Sequence, residues 1–320
     1  MRVGIYSGLR NVGARALGER FSDARVSHRN VVYYRGEVED FDLVVTLAFR
    51  EGRRVFERYR DVCPVVVADW GYLARVNHTG ESTSGHWQIS LGGLNNIPPF
   101  ACPPDRFDAL GLTIAKQGGD PKGYVLICGQ VPGDAAHGLD ADSYFNWLRA
   151  IVSQYPDAVY RPHPRGGIDL PGVESRTGSL DEALAGARMV VTWNSNVGHD
   201  ALLAGVPVVA HGPAAYTELV GETLPSVVAR REYFYRVAYG QWTLAEMRSG
   251  LCQRFILENL LTGVGPAQEG SVEGGRDVHI APDLDAMTAE ELHSLAKDRG
   301  IKIHPRTGAE KVRAALKEAA

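Results

Sequence analysis

Short β-branched runs alternate along the chain with segments whose apolar positions recur at helical spacing. Val3 to Tyr6, Val31 to Tyr34, Leu43 to Thr46 and Val65 to Ala68 predict strands, and Val12 to Phe21 and Glu51 to Asp61 predict helices between them. A second series begins at Gly123. Its strands fall near Tyr124 to Cys128, Ala158 to Arg161, Met189 to Trp193 and Val206 to Ala210. Its helices cover Asp142 to Gln154, Leu180 to Ala185 and Val197 to Ala204. Such alternation builds βαβ units around parallel sheets, so the pattern predicts an α/β chain of two Rossmann-like lobes. Residues 1–118 form the first lobe and 123–262 the second, whose final helical pattern, Thr243 to Leu261, would pack back across the lobes. A Gly-rich linker, 263–284, leads to a separate unit, 285–320. After Asp69 the alternation breaks into a polar insertion through His78 to His86, Gly92 to Asn96 and a Pro-rich stretch to Pro104. Long insertions of this kind are more often functional than structural.

Composition narrows the class. At 320 residues, with 44% hydrophobic and 22% charged, the chain supports two lobes with buried cores. It contains no run of about 18 apolar residues, so no membrane span is expected. Met1-Arg2-Val3 opens directly as a strand, which predicts a cytoplasmic protein without a signal peptide. Cys63, Cys102, Cys128 and Cys252 form no C-x-x-C pair, which argues for reduced thiols over a zinc site or disulfide framework. A net charge of -4 gives no global attraction to a polyanion, so any nucleic-acid contact would be local.

Candidate chemistry gathers at predicted strand ends. Strand Met189 to Trp193 delivers the turn Asn194-Ser195-Asn196, and the next helix opens with Val197-Gly198-His199-Asp200. Free N–H groups and the positive dipole end make such a turn an anion site suited to a diphosphate. Gly198 would permit close approach, and Asp200, one turn in, can accept from ribose hydroxyls. The same residues also read as a capped helix start. Strand Ala158 to Tyr160 runs into Arg161-Pro162-His163-Pro164-Arg165, where two prolines fix a histidine and two arginines at the sheet edge that binds ligands in open α/β folds. In the first lobe, Val65 to Ala68 ends at Asp69, placed either as a general base for an acceptor hydroxyl or as a turn cap. Gly4 to Gly8 forms a strand-to-loop turn without a P-loop lysine, and Gly8 would shape the same cleft. Asp140-Ala141-Asp142 reads formally as D-x-D, but it precedes a helix, so an N-cap is expected and no essential metal.

The stretch from Tyr124 to Tyr216 resembles the donor lobe of GT-B-fold glycosyltransferases, in Arg161-Pro162-His163-Pro164 and in Asn194-Ser195-Asn196 through Ala204-Gly205-Val206-Pro207-Val208. Capsule-type and bacteriophage-encoded members look most similar. The resemblance implies a nucleotide-sugar co-substrate, taken as a UDP-sugar, without a metal cofactor. It assigns the donor phosphates to Asn194, Ser195, Asn196 and His163 and the ribose to Asp200, which stands where many members carry Glu. An N-lobe acid such as Asp69 would deprotonate the acceptor. The C-terminal unit is similar to small helix-extended-helix modules of the HeH, LEM and SAP type, many of which bind DNA. From Ala296 onward it carries seven Lys/Arg against three acids, Lys302 and Arg306 among the basic residues. It also reads as a solvated tail or a protein-docking module.

Together these features predict a sugar transferase acting on a hydroxylated base, such as 5-hydroxymethylcytosine, in phage DNA. Trp70, Tyr72, His86 and Trp87 would meet the acceptor base by stacking, alongside Lys302 and Arg306 on the backbone. A polysaccharide or lipid-linked acceptor, a sugar-nucleotide epimerase and a non-catalytic DNA-binding protein are the rival readings.

Overall fold

The computed structural model describes residues 1–8, 12–18, 20–21, 24–47, 49–75, 85–266, 288–298, 301, 303–304 and 307–318. The first lobe comprises β1 (Arg2–Ser7), α1 (Val12–Gly18), β2 (Arg25–Asn30), β3 (Leu43–Leu47), α2 (Phe49–Tyr59), β4 (Val65–Trp70) and β5 (His86–Leu91). A single turn, α3 (Asp105–Asp108), precedes the crossing into the second lobe. There follow β6 (Tyr124–Cys128), α4 (Ala141–Gln154), β7 (Ala158–Arg161), β8 (Glu174–Ser175), α5 (Leu180–Ala185), β9 (Ala187–Thr192), α6 (Val197–Ala204) and β10 (Val208–Ala210). The chain returns through α7 (Val227–Tyr239), β11 (Gln241–Thr243), α8 (Leu244–Ser249) and α9 (Leu251–Phe255).

Two sheets result, ordered β11-β5-β4-β3-β1-β2 and β10-β9-β6-β7-β8. The second is parallel throughout; in the first, β5 runs antiparallel between β4 and β11, and the remaining pairs are parallel. Continuous apolar runs form the central strands because both faces are covered. Val3, Ile5, Leu43 and Val45 pack under α1, α8 and α9, whereas Tyr6 and Val44 face Val55 and Tyr59 of α2. In the second lobe Leu126 and Val190 meet α6 and α7, and Val125, Ile127 and Val191 meet α4. Both lobes are thus three-layered α/β units, as the hydrophobic pattern predicts.

Three elements differ from the sequence expectation. The second strand is Arg25–Asn30, and Val31–Tyr33 is a 3-10 turn capped by the Asn30 side chain, which accepts the Val32 N–H. β2 is an edge strand, so its polar sequence is tolerated, while Val32 and Tyr33 stay exposed. His86–Leu91, placed in the polar insertion, is instead a strand paired between β4 and β11. The helical pattern from Thr243 is broken at Gly250, whose φ of 86° ends α8 and starts α9.

The return segment fixes how the lobes sit. Arg106 stacks 3.9 Å above the Trp242 ring and donates to the carbonyls of Ala238 and Gln241 while pairing with Glu246. Arg230, fully buried, donates to the carbonyls of Ala115, Lys116, Leu202 and Pro225, which ties the interlobe connection to the end of α6.

In the C-terminal unit, α10 (Ala289–Asp298) and α11 (Ala309–Glu318) pack through Leu292, Ala296, Val312 and Leu316. Lys302, Arg306 and most of the 263–284 linker lie outside the described residues. Among the described residues, no helix is long and apolar enough to cross a membrane.

Candidate active site

The C-terminal edges of the two sheets face each other across a cleft of about 1040 Å³. On the first-lobe wall, β4 ends at Asp69. Its Oδ2 accepts the Phe49 N–H at 3.0 Å, the first amide of α2, and its Oδ1 accepts the Trp70 N–H at 2.7 Å. Each oxygen keeps a lone pair for a further partner. Burial pushes the Asp69 carboxyl above the usual range, with the two amide bonds opposing. Beside it, Trp70 rests on Trp87 with ring centroids 5.4 Å apart. Gln88 braces this floor, donating to the Trp70 carbonyl and accepting the Asn95 N–H, both at 3.1 Å. Ala74 (φ 43°) and Asn95 (φ 65°) are the non-glycine residues with positive φ among the described residues, and both line the cleft. Strained backbone of this kind concentrates at functional sites.

On the second-lobe wall, β7 delivers Arg161, His163 and Arg165. The His163 Nδ1 accepts the Arg165 N–H at 3.2 Å, so the neutral ring carries its proton on Nε2. Burial, with Arg165 close by, lowers the His163 pKa and keeps the imidazole neutral at pH 7. β9 delivers Asn194. Its side-chain oxygen accepts from Gln130 Nε2 at 2.9 Å, its backbone N–H donates to Gln130 Oε1 at 3.1 Å, and its Nδ2 reaches the carbonyls of Ala136 and Pro213. That side chain is spent on holding three loops together. Ser195 Oγ accepts the Val197 N–H at 3.3 Å, and Asn196 Nδ2 donates across the cleft to the Gly71 carbonyl at 3.3 Å. Asp200 pairs across the cleft with Arg75.

Asp69, Trp70, Arg161, His163, Arg165, Asn194, Ser195, Asn196 and Asp200 therefore share one cleft. Five other expected residues are placed differently. Tyr72 is fully buried, with its hydroxyl 2.9 Å from Ser90 Oγ, and Trp87 is buried beneath Trp70; neither ring faces an acceptor. His86 is held to the Ala74 carbonyl by its backbone N–H and ring, away from the cleft lining. The close approach that Gly198 permits is by the Tyr216 ring: a Cβ there would lie 2.5 Å from the Tyr216 hydroxyl. Gly8 is also absent from the cleft lining. Asp140 caps α4, accepting the Ser143 N–H at 2.7 Å, as its position before a helix predicts. Among the described residues, no group of three or more His, Cys, Asp or Glu side chains is arranged to hold a metal.

Sequence reasoning missed Gln130, Gln88, Asn95 and Arg75. Gln130 stands two residues beyond the end of β6, as His163 stands two beyond the end of β7, and that signal would have found it. Arg75 carries no such local mark.

No family model and no curated protein matches the chain. Among solved structures it is similar to the beta Kdo 2,4 transferase of Thermosulfurimonas dismutans KpsC, at 16% identity over 75% of this chain and 90% of that chain, with a TM-score of 0.50. The beta Kdo 2,7 transferase of the same KpsC matches at 14% identity over 78% of this chain and 99% of that one, TM-score 0.44. The UDP-GlcNAc 2-epimerase of Methanocaldococcus jannaschii matches at 9% identity over 82% and 100%, TM-score 0.30. At these identities the likeness concerns the fold, and with the two facing sheets it establishes that the chain has two Rossmann-like lobes of the GT-B type.

Proposed function

We propose that the chain is a glycosyltransferase that moves a sugar from a nucleotide-activated donor to a hydroxyl acceptor. One observation carries this reading: a carboxylate whose pKa is raised, Asp69, faces a wall built from a helix N-terminus, His163 and two arginines. In the reaction the acceptor oxygen bonds to the anomeric carbon as that carbon's bond to the phosphate oxygen breaks. Asp69 takes the hydroxyl proton, and the phosphate charge is met by the α6 N-terminus, His163 Nε2–H, Arg161 and Arg165. A solved protein of this fold is a Kdo transferase, which supports glycosyl transfer as the class of chemistry.

For the acceptor we propose a hydroxylated base in DNA, 5-hydroxymethylcytosine being the first to test. The excess of Lys/Arg over acids from Ala296 onward in the C-terminal unit supports this, as does Trp70, 36% exposed in the cleft and backed by Trp87. Extruding a base costs a few kcal/mol, which stacking on Trp70 would partly offset. The test is incubation with UDP-, CMP- and GDP-sugars, with and without DNA containing 5-hydroxymethylcytosine, followed by digestion to nucleosides and mass spectrometry. A glycosyl mass increment on the modified nucleoside is the expected result. Binding of a donor with no increment on any nucleoside would replace DNA with a glycan or lipid-linked acceptor; turnover of donor alone to an isomeric sugar would replace transfer with epimerisation.

A neutral His163 also predicts a pH response. Because its pKa lies below 6.5, the N–H that meets the phosphate belongs to the uncharged ring above that pH. Affinity for a nucleotide sugar, whose diphosphate diester does not titrate there, should be flat from about pH 6.5 to 8.5. His163→Ala should weaken it about 10- to 100-fold, the worth of one hydrogen bond to a charged group. Affinity that declines steadily as pH rises through this range would mean that an imidazolium holds the phosphate instead.

A further inference from the structure

Asp200 is already engaged from the opposite lobe. Its Oδ2 lies 3.0 Å from an Arg75 terminal nitrogen, and both residues line the cleft. Asp200 stands four residues beyond Asn196 on α6, so the pair sits about 6 Å along the helix axis from the turn proposed to hold the donor phosphate. The backbone around Arg75 is built to deliver it there. Ala74 adopts φ 43°, its carbonyl accepts the His86 N–H at 3.0 Å, and Arg75 forms an isolated bridge with His86 beside β5. A left-handed alanine is costly and persists where the surroundings hold it.

The contact between the two side chains is single. Among the described residues, the Arg75 guanidinium makes one hydrogen bond, to Asp200 Oδ2, and a guanidinium carries five N–H donors in a planar fork. Asp200 can therefore hold Arg75 by one N–H while the others address an anion in the cleft. Two further contacts cross nearby, Asn196 Nδ2 to the Gly71 carbonyl and an Arg53 terminal nitrogen to the Ala135 carbonyl at 2.6 Å. The lobes thus already meet along this line.

We propose that Arg75 is the first lobe's ligand for the donor phosphate, and that Asp200 is its positioning residue rather than a direct ribose contact. This rests on the nucleotide-sugar reading above. It makes the phosphate the group gripped from both lobes: by the α6 turn, His163 and Arg165 on one side and by Arg75 on the other. Donor binding then fixes the position of β4, and with it Asp69, relative to the anomeric carbon.

Calorimetric titration of the full chain with UDP and uridine, and in parallel CMP and cytidine, tests the assignment, with the weak nucleosides read by competition. Arg75→Ala should weaken the preferred nucleotide at least tenfold and leave its nucleoside unchanged, and Arg75→Lys should recover part of the loss. Asp200→Asn should weaken the nucleotide less, and add nothing in the Arg75→Ala background. Unchanged nucleotide affinity in Arg75→Ala would overturn the assignment alone, as would an Asp200→Asn variant that weakens the nucleoside by itself, since that is the mark of a ribose contact. Failure of the wild-type chain to bind any nucleotide, including GDP, would overturn the donor reading and this assignment with it.

Discussion

Asp69→Asn should lower the rate of sugar transfer by about 10²- to 10⁴-fold, the usual contribution of a general base, while leaving donor affinity unchanged. The substitution is mild for the fold. Asn keeps one side-chain oxygen, which can still accept the Phe49 N–H that opens α2, so the helix stays tied to the end of β4. What it removes is the proton acceptor and, because an amide nitrogen cannot accept, the partner of the Trp70 N–H. The wild-type rate should also rise with pH along a limb set by the carboxyl: burial moves its pKa above 3.8, the protonated form below that raised value cannot accept a proton, and activity appears as the group ionises. The Asn variant should show no such limb. Single-turnover transfer, read by mass spectrometry across pH, measures both effects. If the variant transfers within threefold of wild type, Asp69 is a cap of α2 and nothing more.

Much of this site was legible because its parts are local. A carboxylate after Val65 to Ala68, a histidine between two prolines after a strand, and a polar turn before Val197 each announce themselves within a few residues. The strand order of an α/β lobe then brings those ends to one edge. Partnerships were not legible. Gln130 and Asn194 are 64 positions apart and Arg75 and Asp200 are 125 apart, so no spacing reveals that each pair shares hydrogen bonds.

The aromatic residues after Asp69 were misread for a related reason. His86–Leu91 alternates apolar residues with Gln88 and Ser90, which look solvent-facing in sequence. In the fold those polar groups are buried and satisfy one another: Ser90 Oγ meets the Tyr72 hydroxyl and donates to Gln88 Oε1. Pairing with β4 and β11 buries the strand on both faces, and Trp87 and Tyr72 go inside with it. Only Trp70, at the strand end, keeps a face in the cleft.

Gly198→Ala separates two meanings of that glycine. If it made room for a donor phosphate, the variant would fold normally and lose donor affinity. The packing predicts otherwise. The new Cβ would stand inside contact distance of the Tyr216 ring, which is fully buried, lies 5.1 Å from the His199 ring, and donates its hydroxyl to the Ser195 carbonyl at 2.6 Å. Overpacking of this kind costs about 1–3 kcal/mol. Displacing the ring also breaks a hydrogen bond whose loss leaves a buried group unpaired, about 1–3 kcal/mol more. Chemical denaturation should therefore show a loss of several kcal/mol by these sums, with weaker donor binding following because Ser195 belongs to the donor turn. Tyr216→Leu removes the obstructing ring edge and is destabilising alone through the cavity it leaves. In the double variant the Cβ enters that space, so the combined loss should fall well short of the sum of the two. Strict additivity, or a Gly198→Ala variant as stable as wild type, would mean that Tyr216 does not set the glycine's role and would return that space to the ligand.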